Sequence, residues 1–484
     1  MRSHRSLASA LLSALLFSAA AFTPLPARTG SGRKSAPPAI SAELRSEMER
    51  VLQAALASDY AYKELKHLTN NIGPRLAGSP QAQFAAEYVG AEMRKLGLEV
   101  TLEKTKVPHW VRGIETGSLA EYPGKAPGTE QKIVLTALGG SVGTPPDGIT
   151  ADVVVVRNYG ELEALGRAGV AGRIVLFNVP WDKRLTAQNE PGPAYGDVVA
   201  YRADGAKAAE KLGAVAALVR SAGSADYRLP HTGAMHEAGI PGAAVTAEDA
   251  ELIADLAGQG RVRMHLLLTC KNLPDAESAN VIADLKGREH PDQVVVVSGH
   301  LDSWDLGTGA IDDGAGVAMA MATAAIFKQL GIQPRRTLRV IAWMDEEHLG
   351  SGSKTYALDH AAEFVSHTAA IESDFGAGHP IGFSAHAGPA ALEVLKPVSD
   401  VLRATGATIL RSVEYSPGAD ITVLSDAGVP SFGPMQDGRT YFDYHHTAAD
   451  TLDKVDPLNL SENVAAISVL AAALTEMPQP LPRK

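Results

Sequence analysis

Val-Val-Val-Val-Ser-Gly-His-Leu-Asp-Ser-Trp, at residues 294–304, is the stretch that determines the fold expected of this sequence. The run of valines predicts a strand buried on both faces. The strand ends at His300 and Asp302, and residues two apart in an extended backbone point to the same side of a sheet. In an open α/β sheet, ligands bind just beyond the carboxyl ends of the strands. The stretch therefore predicts a binding site at the edge of a parallel sheet.

Further histidines and carboxylates follow in the same positions relative to predicted strands. Strands are predicted at 337–343 and 368–371, each directly before acidic residues. The polar groups are Asp312, twelve positions after His300, then Asp345-Glu346-Glu347, then Glu372-Ser373-Asp374, and finally His445-His446 before Asp450. Imidazole nitrogens and carboxylate oxygens are ligands of zinc. Two histidines and several carboxylates at successive strand ends therefore predict a metal site.

The composition limits the classes of protein that the chain can represent. With 484 residues, two or three domains are expected. The net charge of -11 argues against a nucleic-acid partner. Cys270 is the only cysteine, so the chain can form neither an internal disulfide nor a metal site of paired cysteines.

The N-terminus has the pattern of an export signal. Arg2 and Arg5 precede an apolar run at 7–22, and small residues follow it. We therefore expect a signal peptide at 1–27, a flexible leader at 28–40, and a secreted or periplasmic protein. The alternative is an uncleaved anchor, although the run is short for a span of ~20 residues. No membrane span is expected beyond this segment.

The rest of the chain divides into three parts by its pattern. Residues 41–123 begin with two helices and a strand. Residues 124–270 change to short strands with frequent Gly and Pro, which predicts a small domain inserted into a larger one. Residues 271–484 alternate strands and helices, as expected for a mostly parallel sheet with helices on its faces. The fold class is therefore α/β.

The motifs around these strand ends resemble those of the co-catalytic zinc aminopeptidase family, in particular its carboxypeptidase Q group. The resemblance is carried by Gly299-His300-Leu301-Asp302-Ser303-Trp304-Asp305 and by Glu372-Ser373-Asp374, and it extends over about residues 44–477. It implies a phosphorylase/aminopeptidase-like α/β/α sandwich. It also implies that residues 124–270 are an inserted protease-associated (PA) domain.

The resemblance further implies two zinc ions per chain and a role for each matched residue. The implied metal ligands are His300, Asp312, Glu347, Asp374 and His446, with Asp312 bridging both ions. Glu346 matches the general base. Asp302 is expected beside the site, where it would hold the His300 ring by its other nitrogen. The bond between Asp312 and Asp313 is cis in this family.

Substrate contacts are less specific in sequence. His445 stands where single-domain members carry the tyrosine that stabilises an oxyanion, so that role falls to His445 or to a tyrosine elsewhere, unless His445 only packs. Asp420 lies in a loop that approaches the substrate in the family. Arg439 is a candidate for binding a substrate carboxylate. Trp304 either lines the substrate pocket or belongs to the core.

The function expected from these residues is a zinc-dependent exopeptidase that hydrolyses dipeptides or short peptides at a free N-terminal residue, through a water that bridges the metals. Dipeptidase or carboxypeptidase-type specificity is an alternative. A second alternative is an acyltransferase like glutaminyl cyclase, which typically uses one zinc. A non-catalytic receptor, as in the transferrin receptor branch, is disfavoured because Glu346 and all five ligands are retained. Besides a peptide substrate, a second copy of the chain is a possible partner.

Overall fold

The computed structural model describes residues 40–484, whose strands form two eight-stranded sheets. The predicted signal peptide at 1–27 and almost all of the predicted leader at 28–40 lie outside the described residues. The helices are α1 (Ala42–Leu56), α2 (Tyr60–His67), α3 (Pro80–Lys95), α4 (Tyr159–Val170), α5 (Lys183–Ala187), α6 (Pro191–Lys211), α7 (Ala247–Gln259), α8 (Ala315–Gln329), α9 (Ser351–His360), α10 (Pro389–Val401), α11 (Thr422–Asp426), α12 (Tyr441–Tyr444) and α13 (Pro457–Glu476).

The strands follow the same chain order. They are β1 (Glu99–Val111), β2 (Glu115–Glu121), β3 (Gln131–Ile133), β4 (Leu135–Ala137), β5 (Ile149–Val156), β6 (Ile174–Phe177), β7 (Ala216–Arg220), β8 (Gly242–Val245), β9 (Arg263–Leu268), β10 (Lys271–Leu285), β11 (His290–His300), β12 (Arg336–Trp343), β13 (His367–Glu372), β14 (Pro380–His386), β15 (Ile409–Ser412) and β16 (Ser431–Gln436).

The first sheet has the order β1-β10-β12-β11-β13-β16-β14-β15. Its centre is parallel, because β11 pairs in parallel with β12 and β13, and β13 with β16. The edge pair β14–β15 is also parallel, whereas β1–β10, β10–β12 and β14–β16 are antiparallel. The sheet is therefore mixed, with four parallel and three antiparallel pairs, where a mostly parallel sheet was predicted.

Helices cover both faces of this sheet, as the run of valines in β11 predicts. Val295 and Val297 join the core cluster that contains α8 and α13, whereas Val294 and Val296 join a second cluster with Tyr356 of α9. Among the described residues, two helices are long and apolar enough to span a membrane by length and composition, Ala310–Gln329 and Pro457–Glu476. They are 94% and 78% buried within the structure, as core helices.

The second sheet lies between β1 and β10 in the chain and has the order β3-β2-β9-β5-β6-β7-β8-β4. We call residues 115–268 the insert. It begins nine residues before the predicted boundary at 124, because β2 already pairs with β9. Residues 131–137 form two short strands with different partners, since β3 pairs with β2 and β4 pairs with β8.

Candidate metal centre

The predicted ligands come from separate chain segments and meet at one edge of the first sheet. His300 is the last residue of β11, and Glu347 follows the end of β12. Asp374 lies two residues beyond β13, and Asp312 lies in a short helical turn, Ala310–Gly314, before α8. His446 follows α12. Because β11, β12 and β13 are parallel neighbours, their carboxyl ends bring these side chains together.

The ligand atoms form two groups that share Asp312. His300 Nε2 lies 3.2 Å from Asp312 Oδ1 and 3.3 Å from Asp374 Oδ1. His446 Nε2 lies 3.2 Å from Asp312 Oδ2 and 2.9 Å from Glu347 Oε2. Each oxygen of Asp312 therefore faces one of the two histidines.

This spacing fits divalent cations. Two ligand atoms on one tetrahedral zinc, each ~2.0–2.1 Å from the ion, lie about 3.3 Å apart. The observed separations of 2.9–3.3 Å agree with that value. Moreover, Asp312 Oδ2 and Glu347 Oε1 are buried without a hydrogen-bond partner among the described residues. A buried carboxylate oxygen without a donor is costly, and a cation at this position would remove the cost.

The electrostatics of the cluster point the same way. Burial alone would lower the pKa of His300, but Asp374 and Asp312 raise it well above its usual value. Burial likewise opposes the charge of His446, yet Glu347 and Asp312 raise its pKa well above the usual value. Burial and the neighbouring charges of Asp374 and Glu347 raise the pKa of Glu346 well above its usual value. The site is thus a buried excess of carboxylates that favours positive charge.

Asp302 does not hold the His300 ring in the predicted way. His300 Nδ1 lies 3.0 Å from the backbone carbonyl oxygen of Asp302 and 3.9 Å from its carboxylate. The carboxylate instead accepts hydrogen bonds from the backbone N–H groups that follow β12, at Asp345 (2.7 Å), Glu346 (3.2 Å) and Glu347 (3.4 Å). A buried carboxylate is better satisfied by three N–H donors than by one imidazole, which explains the difference. Asp302 therefore positions the segment that contains Glu346, the residue predicted to be the general base.

The turn around Asp312 is held by two other carboxylates. Asp450 accepts from the backbone N–H groups of Ala310 (2.8 Å) and Ile311 (2.7 Å), and Asp313 accepts from those of His300 (3.0 Å) and Gly316 (3.0 Å). Burial and the nearby Asp312 raise the pKa of Asp450 to about 7. The peptide bond between Asp312 and Asp313 is cis, as the resemblance implies.

Arg75 supports the same region, and the sequence did not indicate this role. Its buried guanidinium donates to the carbonyl oxygens of Leu301 (2.7 Å), Thr308 (2.7 Å) and Gly309 (2.8 Å). It therefore fixes the loop that joins His300 to Asp312. In sequence, Arg75 stands in a Gly-Pro turn more than 200 residues away, and no local pattern connects it to the site.

A cavity of about 1020 Å³ opens above the cluster and is lined by residues of both sheets. Asp312, Glu346, Glu347, His348, Asp374, Tyr441, His445 and His446 line it on the side of the first sheet. The insert contributes Tyr195 and Arg202 of α6, together with residues 234–239. Tyr195, Arg202, His348 and Tyr441 are therefore candidate substrate contacts that sequence reasoning missed.

The structure brings only one of the four predicted substrate contacts to this cavity. His445 lines it, and its ring stacks on that of His446 with centroids 3.6 Å apart. Trp304 is 3% exposed and packs in the core with residues of the insert, which matches its core alternative. Asp420 is buried beside Glu372 outside the cavity lining.

The position of Arg439 does not agree with its predicted role of binding a substrate carboxylate. Its side chain is 58% exposed, and its Nε donates to Asp437 Oδ1 at 2.8 Å. It lies outside the cavity lining, so it is not in position to bind a substrate held there. The Asp437 carboxylate, two residues earlier in the chain, satisfies the charge of Arg439. This pairing explains why the Arg439 side chain does not lie where it was predicted.

Comparisons with known proteins agree on one family. The model of peptidase family M28 matches residues 280–471. Carboxypeptidase Q of Bos taurus is 36% identical over 433 residues, which is 88% of each chain. The solved structure of a peptidase M28 precursor from Shewanella amazonensis has a TM-score of 0.85 and 37% identity, covering 91% of this chain and 99% of that one.

A more distant structure shares the fold. The structure of BSAP, a zinc aminopeptidase from Bacillus subtilis, has a TM-score of 0.62 and 21% identity, and the match covers 86% of this chain and 95% of that one. The mixed α/β architecture with large sheets is therefore that of solved M28 peptidases, and the resemblance stated from the sequence motifs is confirmed.

Proposed function

Because this chain belongs to peptidase family M28, we propose that it is a zinc-dependent metallo-exopeptidase that hydrolyses dipeptides or short peptides at a free N-terminal residue. One observation carries the proposal. Two buried histidines face the two oxygens of Asp312 at 3.2 Å each, at the base of a cavity large enough for a short peptide.

We assign two zinc ions to this centre. His300, Asp312 and Asp374 would hold one ion, and Asp312, Glu347 and His446 would hold the other. The unpartnered oxygens of Asp312 and Glu347 support this assignment, as does the separation of the ligand atoms. An acyltransferase with a single zinc would not require both groups, so the second group favours the peptidase.

Glu346 is the proposed general base. Zinc at this centre would polarise the peptide carbonyl and increase the acidity of the attacking water. Glu346 would accept the proton of that water and pass it to the amine that leaves when the peptide bond breaks. The three N–H groups that bind the Asp302 carboxylate fix the backbone of this segment, so that Glu346 faces the cavity while Glu347 faces His446.

Two residues are candidates for stabilising the oxyanion. His445 Nε2 lies 3.5 Å from Asp312 Oδ2, and Tyr441 lies in the same wall of the cavity. Burial and the nearby charges of Asp312 and Asp374 raise the pKa of Tyr441 well above its usual value, so its hydroxyl stays a hydrogen-bond donor. The free amine of an N-terminal residue would meet the carboxylates of Glu346 and Asp374, which line the cavity.

The insert would shape the substrate-binding side. We infer that the insert, residues 115–268, is a protease-associated domain that covers the cavity without supplying a metal ligand. The position of α6 at the cavity wall supports this role. Export and a homodimer remain predictions, to be checked by N-terminal sequencing of the exported protein and by light scattering.

The experiment is a substrate panel on purified protein, stripped of metal and reconstituted with zinc. Dipeptides, N-acetylated dipeptides, tripeptides and aminoacyl anilides would be compared. We expect cleavage only with zinc, and a large loss on N-acetylation. Cleavage of N-acetylated substrates at the rate of the free ones would contradict recognition of the N-terminus, and no zinc-dependent cleavage of any substrate would contradict the proposed function.

A further inference from the structure

We propose that Arg202 binds the free α-carboxylate of a dipeptide substrate. This inference rests on the proposed peptidase function and adds the group that recognises the far end of the substrate. Arg202 lies on α6 of the insert and is the only arginine or lysine among the residues that line the cavity. The charged residues at the centre include Asp312, Glu346 and Asp374. Their carboxylates would repel the α-carboxylate of the substrate.

The guanidinium is held in place but lacks an acceptor. Its plane lies against Gly233, where an added Cβ would come within 2.4 Å of Cζ, and Cζ lies 5.4 Å from the centre of the Tyr195 ring. Nε is buried without a hydrogen-bond partner among the described residues. The one polar contact of this side chain within residues 40–484 joins Nη1 to His446 Nδ1, at 3.3 Å.

That contact does not satisfy the guanidinium. His446 Nδ1 also lies 3.3 Å from the carbonyl oxygen of Thr232. A histidine that offers Nε2 as a ligand carries its proton on Nδ1 and donates it to such a carbonyl. Two donors then face each other at Arg202, and the guanidinium still needs an acceptor. A carboxylate, which binds a guanidinium through two parallel hydrogen bonds, is the acceptor that it prefers.

The distances limit the length of the substrate. Nη1 lies 3.3 Å from one nitrogen of the His446 ring, and the other nitrogen of that ring faces Asp312 and Glu347. The guanidinium is therefore one ring width behind a ligand atom. In a dipeptide, the α-carboxylate lies only ~4–5 Å from the carbon of the scissile carbonyl, and each further residue adds ~3.5 Å. One residue after the scissile bond fits this spacing, and two exceed it.

The test combines a change in the enzyme with a change in the substrate. Wild type and Arg202→Gln are assayed, with zinc bound, on Ala-Ala, on Ala-Ala amide and on tri-alanine, and kcat and KM are measured separately. Inhibition by free alanine is compared with inhibition by alaninamide. Arg439→Gln is the matched control, because Arg439 is exposed and paired with Asp437 outside the cavity.

In the wild type we expect kcat/KM for Ala-Ala to exceed that for the amide by about 100-fold, as for a close charged pair in a binding site. In Arg202→Gln this ratio should fall below about fivefold, mainly through KM, and the stronger inhibition by free alanine should disappear. Arg439→Gln should keep the wild-type ratio. Arg202→Lys keeps the charge but not the paired donors, so its ratio should be intermediate.

Other outcomes separate this inference from the proposed function. If Arg202→Gln slows both substrates equally, Arg202 only supports His446 and the inference is wrong, although the peptidase function stands. If the wild type shows no preference for Ala-Ala over Ala-Ala amide, the inference is likewise wrong and the peptidase function stands. If Arg202→Gln loses zinc, the test is made with Arg202→Lys. A ratio of kcat/KM for Ala-Ala to that for the amide that equals the wild-type ratio then overturns the inference. If the wild type cleaves none of the substrates, the proposed function fails and this inference fails with it.

Discussion

Replacing Arg75 by lysine should destabilise the protein strongly, although the charge is kept. The guanidinium donates to four backbone carbonyls, at Leu301 (2.7 Å), Thr308 (2.7 Å), Gly309 (2.8 Å) and Gly73 (3.1 Å). These bonds come from three nitrogen atoms that spread in a plane. A lysine ammonium donates from a single point, so we expect it to keep about two of the four.

The expected magnitude follows from this count. A hydrogen bond to a charged group contributes ~1.5–3 kcal/mol, so the loss of two should cost roughly 3–6 kcal/mol of unfolding free energy. Urea unfolding of the metal-free protein would measure this cost without a contribution from zinc. Arg403→Lys is the control, because its side chain is 76% exposed and its partner is Asp400 on the surface. Its unfolding free energy should change by less than ~0.5 kcal/mol.

The same substitution should weaken zinc binding, because the loop that Arg75 fixes joins His300 to Asp312. Competition with a chelator would show this as a lower zinc affinity in Arg75→Lys than in Arg403→Lys. A cost below about 1 kcal/mol in urea, together with unchanged zinc affinity, would refute the positioning role of the guanidinium.

Three further predictions concern the centre and the core. Glu346→Gln should keep its zinc while kcat falls by ~10²–10⁴-fold or more in single-turnover assays, and a rate within tenfold of wild type would exclude Glu346 as the base. Asp312→Ala should lose both zinc ions in metal analysis, since its two oxygens face both histidines; one retained equivalent would contradict the bridge. Burial lowers the pKa of His367 from 6.5 to about 4, so the unfolded chain binds the proton more readily, and stability should fall by about 2 kcal/mol between pH 7 and pH 5. In urea unfolding, His367→Gln should lose less unfolding free energy than the wild type between pH 7 and pH 5. An equal loss would show that His367 is not the cause of the pH dependence.

The parts of the molecule that could be predicted from sequence are those with a local pattern. The valines of β11 predict a strand covered on both faces, and they alternate between two core clusters as expected. Each proposed ligand follows a strand or lies in a short motif, so its position at the sheet edge can be predicted from the neighbouring residues. His300 and Asp312 are examples, twelve positions apart in sequence and 3.2 Å apart between ligand atoms.

The substrate-binding wall could not be predicted because it depends on distant contacts. Tyr195 and Arg202 lie about 100 residues before the centre and reach it only through the packing of the insert. The start of α6, at Pro191-Gly192-Pro193, has the composition of a turn, so the local sequence does not indicate that a helix begins there. Proline is tolerated in the first turn of a helix, and the structure continues α6 back to Pro191.

Contacts between neighbours in sequence were also misjudged where a better partner lay elsewhere. The resemblance implied that the Asp302 carboxylate holds the His300 ring, two residues earlier in the chain. The carboxylate binds three N–H groups that follow β12 instead. Such competition between partners depends on the register of two strands, and the sequence of one strand contains no information about it.

The most direct test of the central claim is anomalous diffraction at the zinc edge from crystals of the zinc-loaded protein. We expect two peaks ~3.5–4 Å apart, one between His300 and Asp374 and the other between Glu347 and His446, with Asp312 touching both. A single peak at full occupancy in crystals of an active preparation, or two peaks that do not share Asp312, would contradict the assignment of a two-zinc centre.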